Sequence, residues 1–176
     1  MIAKKRIRMI ELLALVAALG YSAASAAASG VFEKEYSIEN TASIEVNNGS
    51  GAVNVRGADV NQVTIRARIS VDERYMRRNA YKANKMILDL RAKPPIRVDG
   101  DRIIIEQPKS RVQRRHTTIS YEILVPRDAQ VKVQSESGDV RVSGISGPVD
   151  ATSDTGVVTL VKIRFGNTDE VRVAAR

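Results

Sequence analysis

Along most of this chain apolar and polar positions alternate with a period of two, the spacing of strands that bury one face. Val131 and Val133 alternate with Lys132 and Gln134. Val63, Ile65, Ala67, Ile69 and Val71 share one face of a predicted strand over Asn61–Asp72, and Thr117–Val125 repeats the pattern until Pro126 closes it. Three segments align without gaps: Ile44–Val55 (IEVNNGSGAVNV), Val131–Val142 (VKVQSESGDVRV) and Val149–Leu160 (VDATSDTGVVTL). Each reads as aliphatic alternation, a small polar pair, a glycine (Gly51, Gly138 or Gly156) and aliphatic alternation again. The apolar parity flips across each glycine, as it must where a chain rounds a corner and keeps the same face inward.

One such unit cannot bury its own apolar face, so neighbouring copies are expected to stack. The second and third copies start 18 residues apart, punctuated by Gly147-Pro148. That period predicts an all-β, single-stranded, β-solenoid-like stack, with an antiparallel meander of similar turns as the alternative. Stacking would set Lys132 beside Asp150, Ser137 beside Thr155 and Glu136 beside Asp154, about 4.8 Å apart.

A long excursion separates the first copy from the second. Glu73–Lys85 predicts a short basic helix with Asp72 as its N-cap. Met86, Leu88 and Leu90 alternate as a strand would, ended by Pro94-Pro95, yet Met76, Ala80, Ala83, Ile87 and Leu90 also keep helical spacing, so both readings stand. Asp99-Gly100-Asp101 predicts a hairpin turn into Ile103–Glu106. After Leu160 the regularity fades, and Val171 and Val173 suggest one last strand.

The first 28 residues have a different character. Lys4, Lys5, Arg6 and Arg8 precede the apolar run Leu12–Leu19, and small residues fill Ser22–Ser29. This is the order of a secretory signal, with A-x-A sites ending at Ala26 and Ala28. The apolar run is much shorter than the roughly 20 residues a spanning helix needs. The expected organisation is a signal peptide at 1–28, a linker at 29–37 and a β-strand-repeat domain at 38–176, with no transmembrane segment once the signal is removed.

The repeated S-x-S-G-D-V motif, with the lead-in V-P-R-D-A-x-V-K-V at Val125–Val133, resembles a widespread bacterial envelope family. Its members are described as adhesin-like, or as β-strand-repeat domains of unknown function. The resemblance runs from about Ile38 to about Val161 and is strongest over Ile123–Leu160. It implies an exported, right-handed, solenoid-like stack with a less regular N-terminal half, and it carries over no catalytic residue. Members of the family commonly continue with further coils. Here an exposed last rung would invite pairing with another chain, so self-association through that end is expected.

Composition narrows the chemistry. The chain has no cysteine, which excludes disulfides, thiolate metal sites, cysteine nucleophiles and a lipid-anchored cysteine. Aromatics are 4% and tryptophan is absent, so the core must rest on Val, Ile, Leu and Ala. Of the net charge of +8, three belong to the first 28 residues, which leaves a modestly basic remainder. Export argues against nucleic acid as a partner. Two basic clusters, Arg74, Arg77, Arg78, Lys82 and Lys85 in the predicted helix, then Lys109, Arg111, Arg114, Arg115 and His116 in a loop, instead point to an anionic glycan, a lipid headgroup or an envelope protein. The lone histidine, His116, reads as a plain surface residue. Glu136, Asp139, Asp150 and Asp154 read as turn chemistry. Sharper alternatives are calcium held at Glu136 and Asp154, or a polysaccharide-active site of Asp139, Asp150 and Arg141. The expectation is a non-enzymatic envelope protein without cofactor or metal, with a periplasmic sensor or regulatory partner as the alternative.

Overall fold

The structure, a computed structural model, describes residues 29–163 and 171–175. The export signal read at 1–28 lies outside the described residues. Within the described residues, twelve strands and three helices follow in the order β1 (Ser29–Ser37), β2 (Ser43–Ser50), β3 (Val53–Ala58), β4 (Gln62–Val71), α1 (Glu73–Arg78), α2 (Ala80–Ala92), β5 (Ile96–Asp99), β6 (Arg102–Ile105), α3 (Arg111–His116), β7 (Thr117–Pro126), β8 (Gln130–Ser137), β9 (Val140–Ser143), β10 (Val149–Thr155), β11 (Val158–Val161) and β12 (Val171–Ala175). They build two six-stranded mixed sheets. The first runs β1-β4-β7-β3-β9-β11 and the second β12-β10-β8-β2-β6-β5.

Each repeat spans both sheets, with one half-strand on either side of its glycine: β2 and β3, β8 and β9, β10 and β11. The copies lie side by side in parallel register. Glu45 pairs with Lys132 and Lys132 with Asp150, while Ser50 pairs with Ser137 and Ser137 with Thr155. Gly51, Gly138 and Gly156 form a column with φ of 112°, 133° and 144°. A Cβ on Gly138 would lie 2.4 Å from the Gly51 carbonyl oxygen, and one on Gly156 2.4 Å from that of Gly138. The corner therefore stacks only if it carries no side chain.

Under each corner sits a buried polar residue, Asn48, Ser135 or Ser153. Asn48 Nδ2 donates to the Gly51 carbonyl at 2.8 Å and to that of Ile119 at 3.1 Å. Ser153 Oγ donates to the carbonyl of Gly138, one copy back, at 3.0 Å. Ser135 Oγ has no such partner, and the Gly51 carbonyl one copy back accepts from Asn48.

The chain is nevertheless not a solenoid, which corrects the sequence expectation. The first sheet contains an antiparallel run, β1 on β4 and β4 on β7, and the second ends in the antiparallel hairpin β5–β6. Neither sheet closes, and strand order departs from chain order, with β3 between β7 and β9 and β2 between β6 and β8. The physical reason is in the strands of the excursion. Gln62–Val71 and Thr117–Pro126 alternate for ten residues each without a glycine to turn a corner. They therefore stay in one sheet instead of coiling across two.

Residues 29–37, read as a linker, form strand β1, paired along its length with β4. Met86–Leu90, for which strand spacing was one reading, is the second half of α2. Ala83, Met86, Ile87 and Leu90 are its buried stripe, at the three- and four-residue spacing of a helix. Ile87 and Arg91 press on β1 where Gly30 leaves room: a Cβ there would lie 2.4 Å from Ile87 Cγ2. The inward faces of both sheets and of α2 meet in one continuous core of Val, Ile, Leu and Ala, with Phe32 and Tyr121 its only buried aromatics among the described residues.

Candidate functional site

The second basic cluster was expected in a loop, but Arg111–His116 is helical. Ser110 starts this helix, its Oγ facing the Gln113 N–H at 3.5 Å. Thr117 Oγ1 ends it by donating to the Gln113 carbonyl at 2.7 Å. Arg114 Nη1 donates to the carbonyls of Pro108 and Lys109, both at 2.8 Å, and so clamps the entering loop. Upstream, Gln107 Nε2 donates to Glu136 Oε1 at 2.7 Å and to Asn47 Oδ1 at 3.2 Å, which ties that loop to the repeat turns.

Between α3 and the end of β2 runs a groove of about 330 Å³. Arg111, Arg114 and Arg115 of α3, Gly49 and Ser50 of β2, and Glu136 of β8 are among its lining residues. Arg114 is committed to the loop, whereas Arg111 and Arg115 are exposed and take part in no ion pair among the described residues. A second cleft, of about 640 Å³, lies beyond Gln107 and Pro108, which wall both. It is bordered by Leu90, Lys93, Pro94, Ile96 and Lys109.

The first basic cluster divides between two helices. Asp72 caps α1, its carboxylate accepting from the Arg74 N–H at 2.8 Å. Arg77 pairs with Glu73, and Lys85 with Asp89 at 3.1 Å. Arg74, Arg78 and Lys82 are exposed and unpaired among the described residues.

His116 joins the two clusters and is not the plain surface residue expected from sequence. Its ring stacks on Tyr75 with centroids 4.1 Å apart, its carbonyl accepts from the Asp72 N–H at 2.9 Å, and its Nδ1 lies 3.9 Å from Asp72 Oδ2. The side chain is 24% exposed. The end of α3 is thereby fixed to the start of α1, so cations more than thirty positions apart in sequence occupy adjoining helices.

The acidic turn residues do not gather. Asp139 Oδ1 accepts from the Val157 N–H of the next copy at 2.9 Å. Asp150 lies at the far end of the strand pair, in register with Lys132 and Arg172. Along β8 that places it roughly 20 Å from Asp139. Paired carboxylates that cleave a glycosidic bond stand about 5–9.5 Å apart, so these two do not form such a site. Arg141 points outward from the middle of β9, in register with Asn54 and Thr159. Glu136 is held by Gln107, and Asp154 is exposed. Among the described residues no three His, Asp or Glu side chains form a group that could hold a metal ion.

Two carboxylates are perturbed elsewhere. Asp101 accepts from the backbone N–H of Glu39, the Asn40 side chain and the Asn40 N–H, and these bonds hold it below the ordinary carboxylate range. The Arg127 guanidinium, bonded to both oxygens of Asp59, lowers that carboxyl in the same way. Both pairs fasten connections between strands. No helix of the described residues is long and apolar enough to cross a membrane.

No family model matches this sequence, and no curated protein matches it. Two solved structures are similar to it. One is a candidate cell adhesion protein from Clostridium sporogenes, 11% identical, with 84% of this chain and 100% of that chain covered and a TM-score of 0.41. The other is a candidate adhesin from Parabacteroides distasonis, 13% identical, with 76% of this chain and 66% of that chain covered and a TM-score of 0.33.

Proposed function

We propose that this is an exported, non-enzymatic, adhesin-like protein of the cell envelope, which uses the groove beside α3 to bind an anionic glycan. One observation carries the reading: Arg111 and Arg115, exposed and in no ion pair among the described residues, line one groove of about 330 Å³ together with Gly49 and Ser50 at the end of β2. Guanidinium groups are planar forks suited to carboxylate or phosphate oxygens. The volume is at the small end of the range for ligand clefts, about 300–1,000 Å³, and suits one or two sugar units. The basic start and small-residue stretch of residues 1–28 support export.

The test is titration with polygalacturonate oligomers, with neutral dextran as control. Binding to the acidic oligomer that weakens with salt, and falls about tenfold in Arg111→Ala/Arg115→Ala, is the expected result. Equal binding to both polymers, or no change in the double variant, would remove the groove from the reading.

A further inference from the structure

The outward stripe of α2 bears side chains that neither the core nor the groove uses. Tyr81 is 82% exposed and Leu88 59%. Seven residues apart, they fall on one line of the helix, with Lys85 between them. This line lies opposite the buried stripe of Ala83, Met86, Ile87 and Leu90, so the two large apolar groups point straight away from the molecule. They are not spillover from a partly covered core.

Their surroundings are cationic. Across α1 and α2, Arg74, Arg77, Arg78, Lys82, Lys85 and Arg91 stand against only Glu73 and Asp89. Two of the cations are engaged in intrahelical pairs, and Arg91 Nε donates to the Val31 carbonyl at 3.1 Å. Arg74, Arg78 and Lys82 remain on the surface. An exposed tyrosine and leucine set among cations suits a surface that is itself anionic outside and apolar within. A soluble polyanion would satisfy the cations but leave Tyr81 and Leu88 in water. A protein partner would need an apolar pocket for each.

We propose that the α1–α2 face docks on an anionic phospholipid membrane, with Tyr81 and Leu88 entering the headgroup–acyl boundary and Arg74, Arg78 and Lys82 lying over lipid phosphates. The stripe is two side chains long and the helix stays packed on β1, so attachment is peripheral and reversible. This is independent of the glycan groove, since neither Arg111 nor Arg115 takes part.

The protein contains no tryptophan, so Leu88→Trp introduces a single reporter on the stripe. Its emission is expected to shift to the blue on vesicles of phosphatidylglycerol and phosphatidylcholine in equal parts, and not on phosphatidylcholine alone or on polygalacturonate. Co-sedimentation of the otherwise unaltered protein with the anionic vesicles should fall about tenfold in Tyr81→Ser/Leu88→Ser, two changes at exposed positions that leave the fold intact. Arg74→Glu/Lys82→Glu should lose more than that at low salt, since each surface cation is worth about fivefold. Arg111→Ala/Arg115→Ala should bind vesicles as before, which separates failure here from failure of the groove. Vesicle binding without a blue shift, binding indifferent to the Tyr81 and Leu88 changes, or no binding to anionic vesicles would each overturn the proposal.

Discussion

At the scale of single residues, the corner glycines are the least replaceable positions. Gly138 combines a φ of 133° with a neighbouring carbonyl that already occupies the space of a side chain. Gly138→Ala is expected to cost about 3 kcal/mol or more, since backbone strain and overpacking each contribute roughly 1–3 kcal/mol. Gly100 is the control: its φ is 57°, but nothing lies within 4 Å of the added Cβ. Gly100→Ala should cost only about 1–2 kcal/mol. Thermal melts of the two variants check the contrast, and equal losses would mean that the stacked carbonyl is unimportant. The corner glycines were legible in the sequence because they recur at one place in an aligned pattern. His116 was not, because the sequence cannot show that Tyr75 would fold beneath it.

At the scale of elements, strands were easier to read than helices. Alternation over Gln62–Val71 and Thr117–Pro126 locates β4 and β7 within a residue or so, and Asp99-Gly100-Asp101 does turn the β5–β6 hairpin. Residues 86–90 obeyed both periods, and the choice fell to tertiary packing: β1 offers Gly30 as a seat for a helix. The two readings differ in energy as well. A strand would place Leu88 and Leu90 on the same face, whereas in α2 they lie on different faces. Leu90→Ala should therefore cost about 2–5 kcal/mol and Leu88→Ala no more than about 0.5 kcal/mol, as urea unfolding would show. Similar losses would contradict the helix. The six residues of α3 carry too few apolar positions to reveal a period. The one available signal was Ser110 followed three residues later by Gln113, the spacing of a capping box. Missing that helix hid the groove, because Arg111 and Arg115 have a common wall only once they are helical.

At the scale of the whole molecule, the repeat pattern implied the local pairing but not the topology. Lys132 does lie in register with Asp150, and Ser137 with Thr155. What could not be read is that the excursion forms its own antiparallel strands and then returns the chain beside the first copy. This arrangement orders the charges on the outer face of the second sheet. Glu45, Lys132 and Asp150 occupy consecutive register positions with alternating sign, and Arg102 bonds Glu45 at 2.9 Å. Opposite charges facing one another across neighbouring strands help to select this alignment over a slipped one. The face they cover is close to neutral, whereas among the described residues the three helices carry a surplus of cations.

The interrupted repeat also has a kinetic consequence. Copies two and three are joined by bonds such as that from Val157 to Asp139, 18 positions apart, whereas Ser143 reaches Val55 across 88. Closing the longer loop costs more chain entropy before any contact offsets it, so the two C-terminal copies should pair first and form the folding nucleus. The first copy would then complete both sheets late, filling the slot between β7 and β9 and that between β6 and β8. In stopped-flow refolding, Ala151→Gly in β10 should slow folding, whereas Val46→Ala in β2 should chiefly speed unfolding. The reverse assignment would mean that the excursion folds first and acts as a template. In the expected order, the chain passes through a state in which two stacked copies expose the edges of β8 and β9 to any strand that arrives, and the first copy is the segment that closes them.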